Sequence, residues 1–419
     1  MQQDVKGITP DNRLRWPGHS RRTMGKHHAT REITTHMSQS DSFRGASHVT
    51  WVSVVGARPQ FVKLAPVCRA IELHNMKPDV PLIRHKIIHT GQHYDREVAE
   101  LLFEQMAIPQ PDHNLGVGSA SHGIQLARML QGMEPLLREQ NLAWVVVYGD
   151  TNSTLAGALL AARLKIPLAH VEAGCRSGDL TMPEEQNRIV SDHLSQLLLA
   201  PSQSALDNLR REGIGGADDP QQRLVVFAGD VMYDALLQNL ESAEKRLDHN
   251  LKEFELDRRG YYLLTIHRAE NTGNRQRLSS ILKAARSLDL PVLFPVHPRT
   301  KHILSASGIP LNGNLRPVPP LGFLEMIAME RNARTILTDS GGVQKEAFYL
   351  GVPCVTLRDR TEWPETVACG ANRIAGTESD SILQAVAESK LREWTNAAPY
   401  GNGTSADTIV SHLIASTIC

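Results

Sequence analysis

Residues 142–171 read LAWVVVYGDTNSTLAGALLAARLKIPLAHV, and this stretch decides the fold. Leu142 to Tyr148 is a near-continuous apolar run rich in valine, as expected of a strand buried on both faces. Gly149 to Thr154 supplies a turn and helix-capping side chains, and Leu155 to Leu164 is an Ala/Leu helix. Pro167 closes the unit and Leu168 to Val171 begins another strand, so the stretch is a β-α-β unit of a parallel sheet. The same texture appears upstream, where the strand Trp51 to Val55 meets the turn Gly56-Ala57-Arg58-Pro59 and a helical pattern from Phe61 to Leu73. Downstream it continues with Leu224 to Phe227, Tyr261 to Ile266, Val292 to Val296, Thr335 to Thr338 and Cys354 to Leu357. The expected architecture is α/β, with two doubly wound Rossmann-like domains facing a central cleft. The Gly-, Asp- and Pro-containing segment from Glu212 to Gln222 is the expected boundary, giving an N-terminal domain over 49–218 and a C-terminal domain over 219–392. Residues 1–48 are rich in Arg, His, Ser and Thr, lack apolar periodicity, and read as a disordered extension with Met24 and Met37 as internal start candidates.

Composition narrows the function. Hydrophobic residues make up 41% of the 419-residue chain and charged residues 21%, enough for a sizeable core. Lys plus Arg and Asp plus Glu number 45 each, which removes any global electrostatic case for a nucleic-acid or membrane-surface protein. No run approaches the ~18 apolar residues of a membrane span. The five cysteines form no C-x-x-C pair and fit a reduced, cytoplasmic setting. Neither G-x-G-x-x-G nor G-x-x-x-x-G-K-[ST] occurs, so no nicotinamide cofactor or ATP P-loop is indicated. His170 with Glu172, and His267 with His297, do not complete a tetrahedral ligand set, and no metal is expected.

In doubly wound sheets ligands sit at the carboxyl ends of the strands. The residues falling there are ionisable: Arg58 and then Lys63 after the first strand, Asp150 after Tyr148, and Glu172 after the Leu168 strand. His267 follows Ile266, and His297 follows Val296. The sharpest element is Thr338-Asp339-Ser340-Gly341-Gly342-Val343-Gln344-Lys345-Glu346, a strand, a Ser-Gly-Gly turn and a helix. Its amino terminus offers free N–H groups to a phosphate, and Glu346 lies one turn in, where it could accept from ribose hydroxyls. A Ser-capped helix with glycines for tight packing is the plainer alternative. Pro183 opens a further helix in which Glu184 and Arg188 are spaced i, i+4, so Arg188 is expected to orient Glu184 as a base requires. Helix-start chemistry explains one of Glu184 and Glu185 equally well.

These strings resemble one family, the non-hydrolysing UDP-N-acetylglucosamine 2-epimerases. They are GARPQFVKLAPV from Gly56, TGQHYD from Thr90, YGDTNSTLAGALLAARL from Tyr148 and HVEAGCRSGDLTMPEEQNR from His170. GDVMYDAL from Gly229, TIHRAEN from Thr265, PVHPRT from Pro295, LTDSGGVQKEA from Leu337 and RDRTEWPETVACGANR from Arg358 continue the series. The resemblance implies a GT-B-like fold, a UDP-sugar bound mainly by the C-terminal domain, and a C-terminal helix over 393–419 packing back on the first domain. It implies inversion at C2 without a cofactor: a base removes the C2 proton while UDP leaves C1, and both return to the resulting 2-acetamidoglucal. Asp150, Glu172 and Glu184 match the acid–base carboxylates, Arg188 their companion, and His267 the histidine near the phosphates. Arg58, Lys63, Ser340, Gly341, Gly342 and Glu346 match nucleotide-binding positions, with His297 near the substrate. A homodimer is the expected assembly.

The sequence also departs from the family. The G-T-R-P-E motif ends here in Gln60, and the arginine of the bacterial effector loop is replaced by Tyr94, which weighs against activation by a second UDP-sugar. Glu362-Trp363-Pro364-Glu365 and Pro298-Arg299-Thr300 are closer to relatives acting on UDP-2,3-diacetamido-glucuronate. A GT-B glycosyltransferase, a hydrolysing epimerase and a silent UDP-sugar sensor are the competing readings. The carboxylate set disfavours the first, and the intact carboxylates and His267 disfavour the last.

Overall fold

The computed structural model describes residues 48–92, 96–138, 141–296, 298–389 and 398–418. Two parallel sheets organise the chain. The first contains β1 (His48–Val55), β2 (Leu82–His89), β3 (His113–Asn114), β4 (Trp144–Tyr148), β5 (Leu168–Val171), β6 (Leu197–Ala200) and β7 (Leu224–Phe227) in the order β3-β2-β1-β4-β5-β6-β7. The second contains β8 (Tyr262–Thr265), β9 (Val292–Pro295), β10 (Leu315–Val318), β11 (Thr335–Thr338), β12 (Cys354–Thr356) and β13 (Asn372–Ile374) in the order β10-β9-β8-β11-β12-β13. In both, the strand order reverses beside the first strand, between β1 and β4 and between β8 and β11. Such switch points are where open α/β sheets bind ligands.

The central strands form because nothing in them needs water. All five residues of β4 are buried, as are all four of β5, β8 and β11. The helix Asn152–Leu164 starts where Thr151 accepts a hydrogen bond from Ser153 N, and it stops at Lys165, which adopts a left-handed conformation. The helix Arg58–Asn75 is entered through Gln60, whose side-chain oxygen accepts from the N–H groups of Gly56 (2.8 Å) and Ala57 (3.1 Å). The amide nitrogen of Gln60 donates to Tyr148 O at 3.0 Å, linking the β1 and β4 turns. A glutamate could make only the accepting half of this arrangement, which gives the Gln60 departure a physical role.

One boundary differs from the sequence expectation. β7 lies beyond the expected division at residue 218 yet pairs with β6, so Glu212–Gln222 is a loop inside the first half. The segment is cut off from its sheet by its turn residues but re-enters it: Arg223 and Asp219 form a buried ion pair at 2.7 Å that closes the loop. The extension expected over 1–48 lies outside the described residues except for His48, which opens β1.

The halves are joined by packing as well as by the chain. The helix Val231–Glu253 lies against both Arg58–Asn75 and Phe323–Asn332, and one hydrophobic cluster runs through Phe61, Leu64, Leu247, Ile327 and Ile409. The terminal helix Ser405–Ile418 packs on Arg58–Asn75, and the Trp144 indole donates to Leu413 O at 3.1 Å. The described cysteines, Cys68, Cys175, Cys354 and Cys369, are free thiols.

Candidate active site

Both switch points open on one crevice, and a chain of buried charges spans it. Glu172, the first residue after β5, has one carboxylate oxygen 2.6 Å from Lys63 Nζ and the other 3.0 Å from Lys345 Nζ. Lys63 belongs to the helix that follows β1, whereas Lys345 belongs to the helix that follows the Ser340 turn. Lys345 is itself buried, 2.6 Å from Asp230 Oδ2, and its ammonium sits 4.0 Å from the centre of the Trp363 ring. Tyr349 donates to the same Asp230 oxygen at 2.5 Å. Burial alone would raise the Glu172 carboxyl, but Lys345 and Lys63 outweigh it and hold it well below the usual carboxylate range. Burial would likewise push the Lys345 ammonium down, and Asp230 and Glu172 hold it above its ordinary value instead. Glu172 also adopts a left-handed backbone at φ 72, a conformation costing an L-residue roughly 1–3 kcal/mol and concentrated at functional sites.

The helix Pro183–Leu194 brings the second group of residues. Pro183 occupies its first turn, as the sequence suggests. Arg188 does not pair with Glu184, however. Its Nη2 is 2.5 Å from Asp150 Oδ2 and its Nη1 is 2.8 Å from Glu185 Oε2. The i, i+3 carboxylate is buried beside Arg188, and the β4 turn supplies a partner that sequence spacing could not show. Glu185 also accepts from the N–H groups of Ser177 and Gly178, so it ties the preceding loop to the first turn of the helix. Glu184 is half-buried and makes no ion pair or hydrogen bond among the described residues. Asp150 is part-exposed, and Asn187 donates to its carbonyl at 2.9 Å.

Across the crevice, Ser340 caps the helix Gly341–Tyr349 by accepting from Val343 N. A side chain on Gly341 would come 3.2 Å from the Trp363 indole nitrogen, whereas one on Gly342 would meet nothing nearer than 3.8 Å. The first glycine therefore admits the indole, and the second leaves the helix amino terminus open. Trp363 Nε1 is buried and has no hydrogen-bond partner among the described residues. His267 is half-exposed, and its Nδ1 lies 3.1 Å from Asp339 Oδ1. Asp339 also accepts from the backbone N–H groups of His267 (3.0 Å) and Arg268 (3.1 Å), fixing the β8 turn to the end of β11. Burial would raise the Asp339 carboxyl, but the His267 contacts hold it below its usual value. Glu346 lies close enough to Glu330, a fully buried carboxyl on the neighbouring helix whose two oxygens have no hydrogen-bond partner among the described residues, for the two to act on each other. Burial raises both; the Glu346 charge adds to the effect at Glu330, and Arg58 opposes it at each.

The site therefore gathers Asp150, Glu172, Arg188 and Lys63 from the first half and Ser340, Gly341, Gly342, Glu346 and His267 from the second. His297 and the effector-loop residues 93–95 lie outside the described residues. Sequence reasoning missed Lys345, Asp230, Trp363 and Glu330. The first three lie inside motif strings quoted above, but only the fold shows that Lys345 is buried against two carboxylates from other elements.

The protein-family model described as UDP-N-acetylglucosamine 2-epimerase matches residues 78–414. A UDP-N-acetylglucosamine 2-epimerase homolog of Methanococcus maripaludis is 45% identical over 366 residues, covering 86% of this chain and 98% of that protein. The UDP-2,3-diacetamido-2,3-dideoxy-D-glucuronate 2-epimerase of Pseudomonas aeruginosa is 40% identical over 366 residues, with 86% and 98% covered. The crystal structure of the Methanocaldococcus jannaschii UDP-GlcNAc 2-epimerase, in complex with UDP-GlcNAc and UDP, superposes with a TM-score of 0.78 at 42% identity, covering 87% of this chain and 99% of that one.

Proposed function

Because the chain belongs to the UDP-N-acetylglucosamine 2-epimerase family, we propose that it interconverts UDP-N-acetylglucosamine and UDP-N-acetylmannosamine without hydrolysis. The observation that carries this reading is the 3.0 Å contact between Glu172 and Lys345, which brings the carboxylate-bearing turns of the first sheet up to the Ser-Gly-Gly turn of the second. A sugar over the first sheet and a diphosphate on the second then fit one crevice.

The chemistry follows from what each group can do. The C2 proton passes to a carboxylate as the C1–O bond breaks; the electron pair of the C2–H bond becomes the C1–C2 double bond, and UDP leaves with the C1–O pair. A proton is then returned to C2 from the opposite face and UDP re-adds at C1, so that only C2 is inverted. Asp150, oriented by Arg188, and Glu184, with no ion pair or hydrogen bond among the described residues, are the carboxylates whose oxygens are available for that exchange. Glu172 is gripped by two lysines and serves as fixed charge. The open N–H groups at Gly341 and Gly342, the Trp363 indole and His267 are donors for the departing diphosphate. Glu346 and Arg58 are the groups for the ribose and uracil side.

The second reading, the same inversion on UDP-2,3-diacetamido-glucuronate, is favoured by the Glu362–Glu365 segment and by the Pseudomonas aeruginosa relative. We assign the chain a cytoplasmic homodimer supplying precursors for polysaccharide synthesis. In keeping with that setting, no described helix is long and apolar enough to cross a membrane; sedimentation velocity tests the dimer. Incubation with UDP-N-acetylglucosamine in deuterated water, followed by NMR, tests the reaction. Deuterium at C2 together with UDP-N-acetylmannosamine is the expected result. Free N-acetylmannosamine would mean hydrolysis, exchange only in the diacetamido-uronate would move the substrate, and no exchange in either would refute the reading.

A further inference from the structure

His170 and Asp192 take no part in the chemistry above, yet they meet at the centre of the loops that carry it. His170 lies in β5 and Asp192 in the last turn of the helix Pro183–Leu194, and both are fully buried. His170 Nδ1 is 2.6 Å from Asp192 Oδ1, and His170 Nε2 is 2.7 Å from the carbonyl oxygen of Gly149. Both ring nitrogens of His170 thus face oxygen acceptors, one on Asp192 and one on the Gly149 peptide. The second Asp192 oxygen accepts from Gly174 N at 3.0 Å and from Arg176 Nη1 at 2.7 Å. Burial would raise the Asp192 carboxyl, but His170 and Arg176 hold it below its usual value.

The partners of this pair are what give it a role. The Gly149 carbonyl belongs to the peptide bond that leads into Asp150. Gly174 closes the turn that Glu172 opens. Asp192 stands one and two helical turns beyond Arg188 and Glu184, on the same helix face. One buried hydrogen-bonded pair thus ties together the β4 turn that carries Asp150, the β5 turn that carries the fixed charge of Glu172, and the helix that carries Glu184 and Arg188.

We propose that His170 and Asp192 are positioning residues for the epimerisation, setting the Gly149–Asp150 peptide so that the Asp150 carboxylate faces the reacting carbon. The proposal rests on the epimerase reading. It asks for fixed geometry rather than contact with the sugar, so its loss should lower kcat with little change in KM. A misplacement of about 1 Å at a reacting group can cost on the order of 100-fold in rate.

Two substitutions separate the contacts. Glutamine at 170 can place an amide N–H where Nε2 stood and keep the Gly149 contact, whereas asparagine reaches only the Nδ1 position and keeps Asp192 alone. The wild type, His170→Gln and His170→Asn are compared for C2 deuterium exchange, kcat, KM and thermal midpoint. The expected result is a kcat loss of about 100-fold in His170→Asn at unchanged KM, with His170→Gln recovering most of it. Equal loss in both variants, or a full wild-type kcat in His170→Asn, would overturn the positioning role while leaving the epimerase reading intact. If His170→Asn does not fold, folded His170→Gln decides alone: kcat within about 5-fold of wild type supports the role, and a loss approaching 100-fold overturns it. A wild type inactive on every UDP-sugar would overturn both readings.

Discussion

Replacing Lys345 with methionine keeps most of the unbranched side-chain stem while removing one positive charge, and its contact with the Trp363 ring, from the interior. Two carboxylates then lose their principal partner: Asp230, almost wholly buried at 2.6 Å, and Glu172, 10% exposed at 3.0 Å. Breaking a buried pair by removing one partner costs about 3–5 kcal/mol, because the remaining charge stays desolvated. Asp230 keeps its hydrogen bonds from Tyr349 and Met232 N, and Glu172 keeps Lys63 at 2.6 Å, so the lower end, about 3 kcal/mol, is the expected cost. Denaturant unfolding of the wild type and Lys345→Met measures it. The double variant Lys345→Met/Asp230→Asn should be more stable than Lys345→Met alone, since it no longer buries an uncompensated charge. A cost under about 1 kcal/mol, or a double variant whose cost is the sum of the two singles, would refute the view that this cation is what makes the acid cluster tolerable.

Other perturbations test separate parts of the site. Asp150→Asn should lower C2 exchange by roughly 10²–10⁴-fold while UDP affinity, measured calorimetrically, stays close to wild type. Gly174 has φ +82, and a side chain there would lie 2.4 Å from Ala205 O, so Gly174→Ala should lower the thermal midpoint sharply. Gly342→Ala meets only an ordinary contact with Ser340 Oγ at 3.8 Å, so it should leave the midpoint unchanged and weaken UDP binding. The Glu330 carboxyl is raised in the fold by burial first and by Glu346 second. Its contribution to stability is therefore present at low pH and lost as pH rises through the folded value. Glu330→Gln should accordingly melt higher than wild type at pH 8 and equally at pH 4; a gain at pH 4 alone would contradict that sign.

The central strands were legible because strands buried on both faces read as unbroken apolar runs, as β4, β5, β8 and β11 do. Of the strands at or near the edges, β7 was legible, but others were not. β2 carries Arg84, His85 and Lys86, β10 carries Arg316 and Pro317, and β13 is the three residues Asn372–Ile374. Their half-covered faces take polar side chains and hide the pattern. The loop Glu212–Gln222 looked like a linker because its composition reports a chain reversal, not what lies on either side of it. At the site, strand-end position identified Asp150, Glu172 and His267, since the sheet topology alone puts them at the crevice. Partner choice was hidden: Arg188 selects Asp150 from a different strand over Glu184 on its own helix. Nothing in the sequence assigned Lys345 a role, because only the fold encloses it between Asp230 and Glu172.

Positional isotope exchange addresses the cleavage step itself. UDP-N-acetylglucosamine is prepared with oxygen-18 in the bridge between C1 and the β-phosphorus, incubated with the protein, and analysed by phosphorus NMR. If UDP departs and is held on the Ser340 helix while the glucal waits beneath Asp150, the label will spread into the non-bridging β-oxygens of recovered substrate. Inversion at C2 with the label still confined to the bridge would contradict the account.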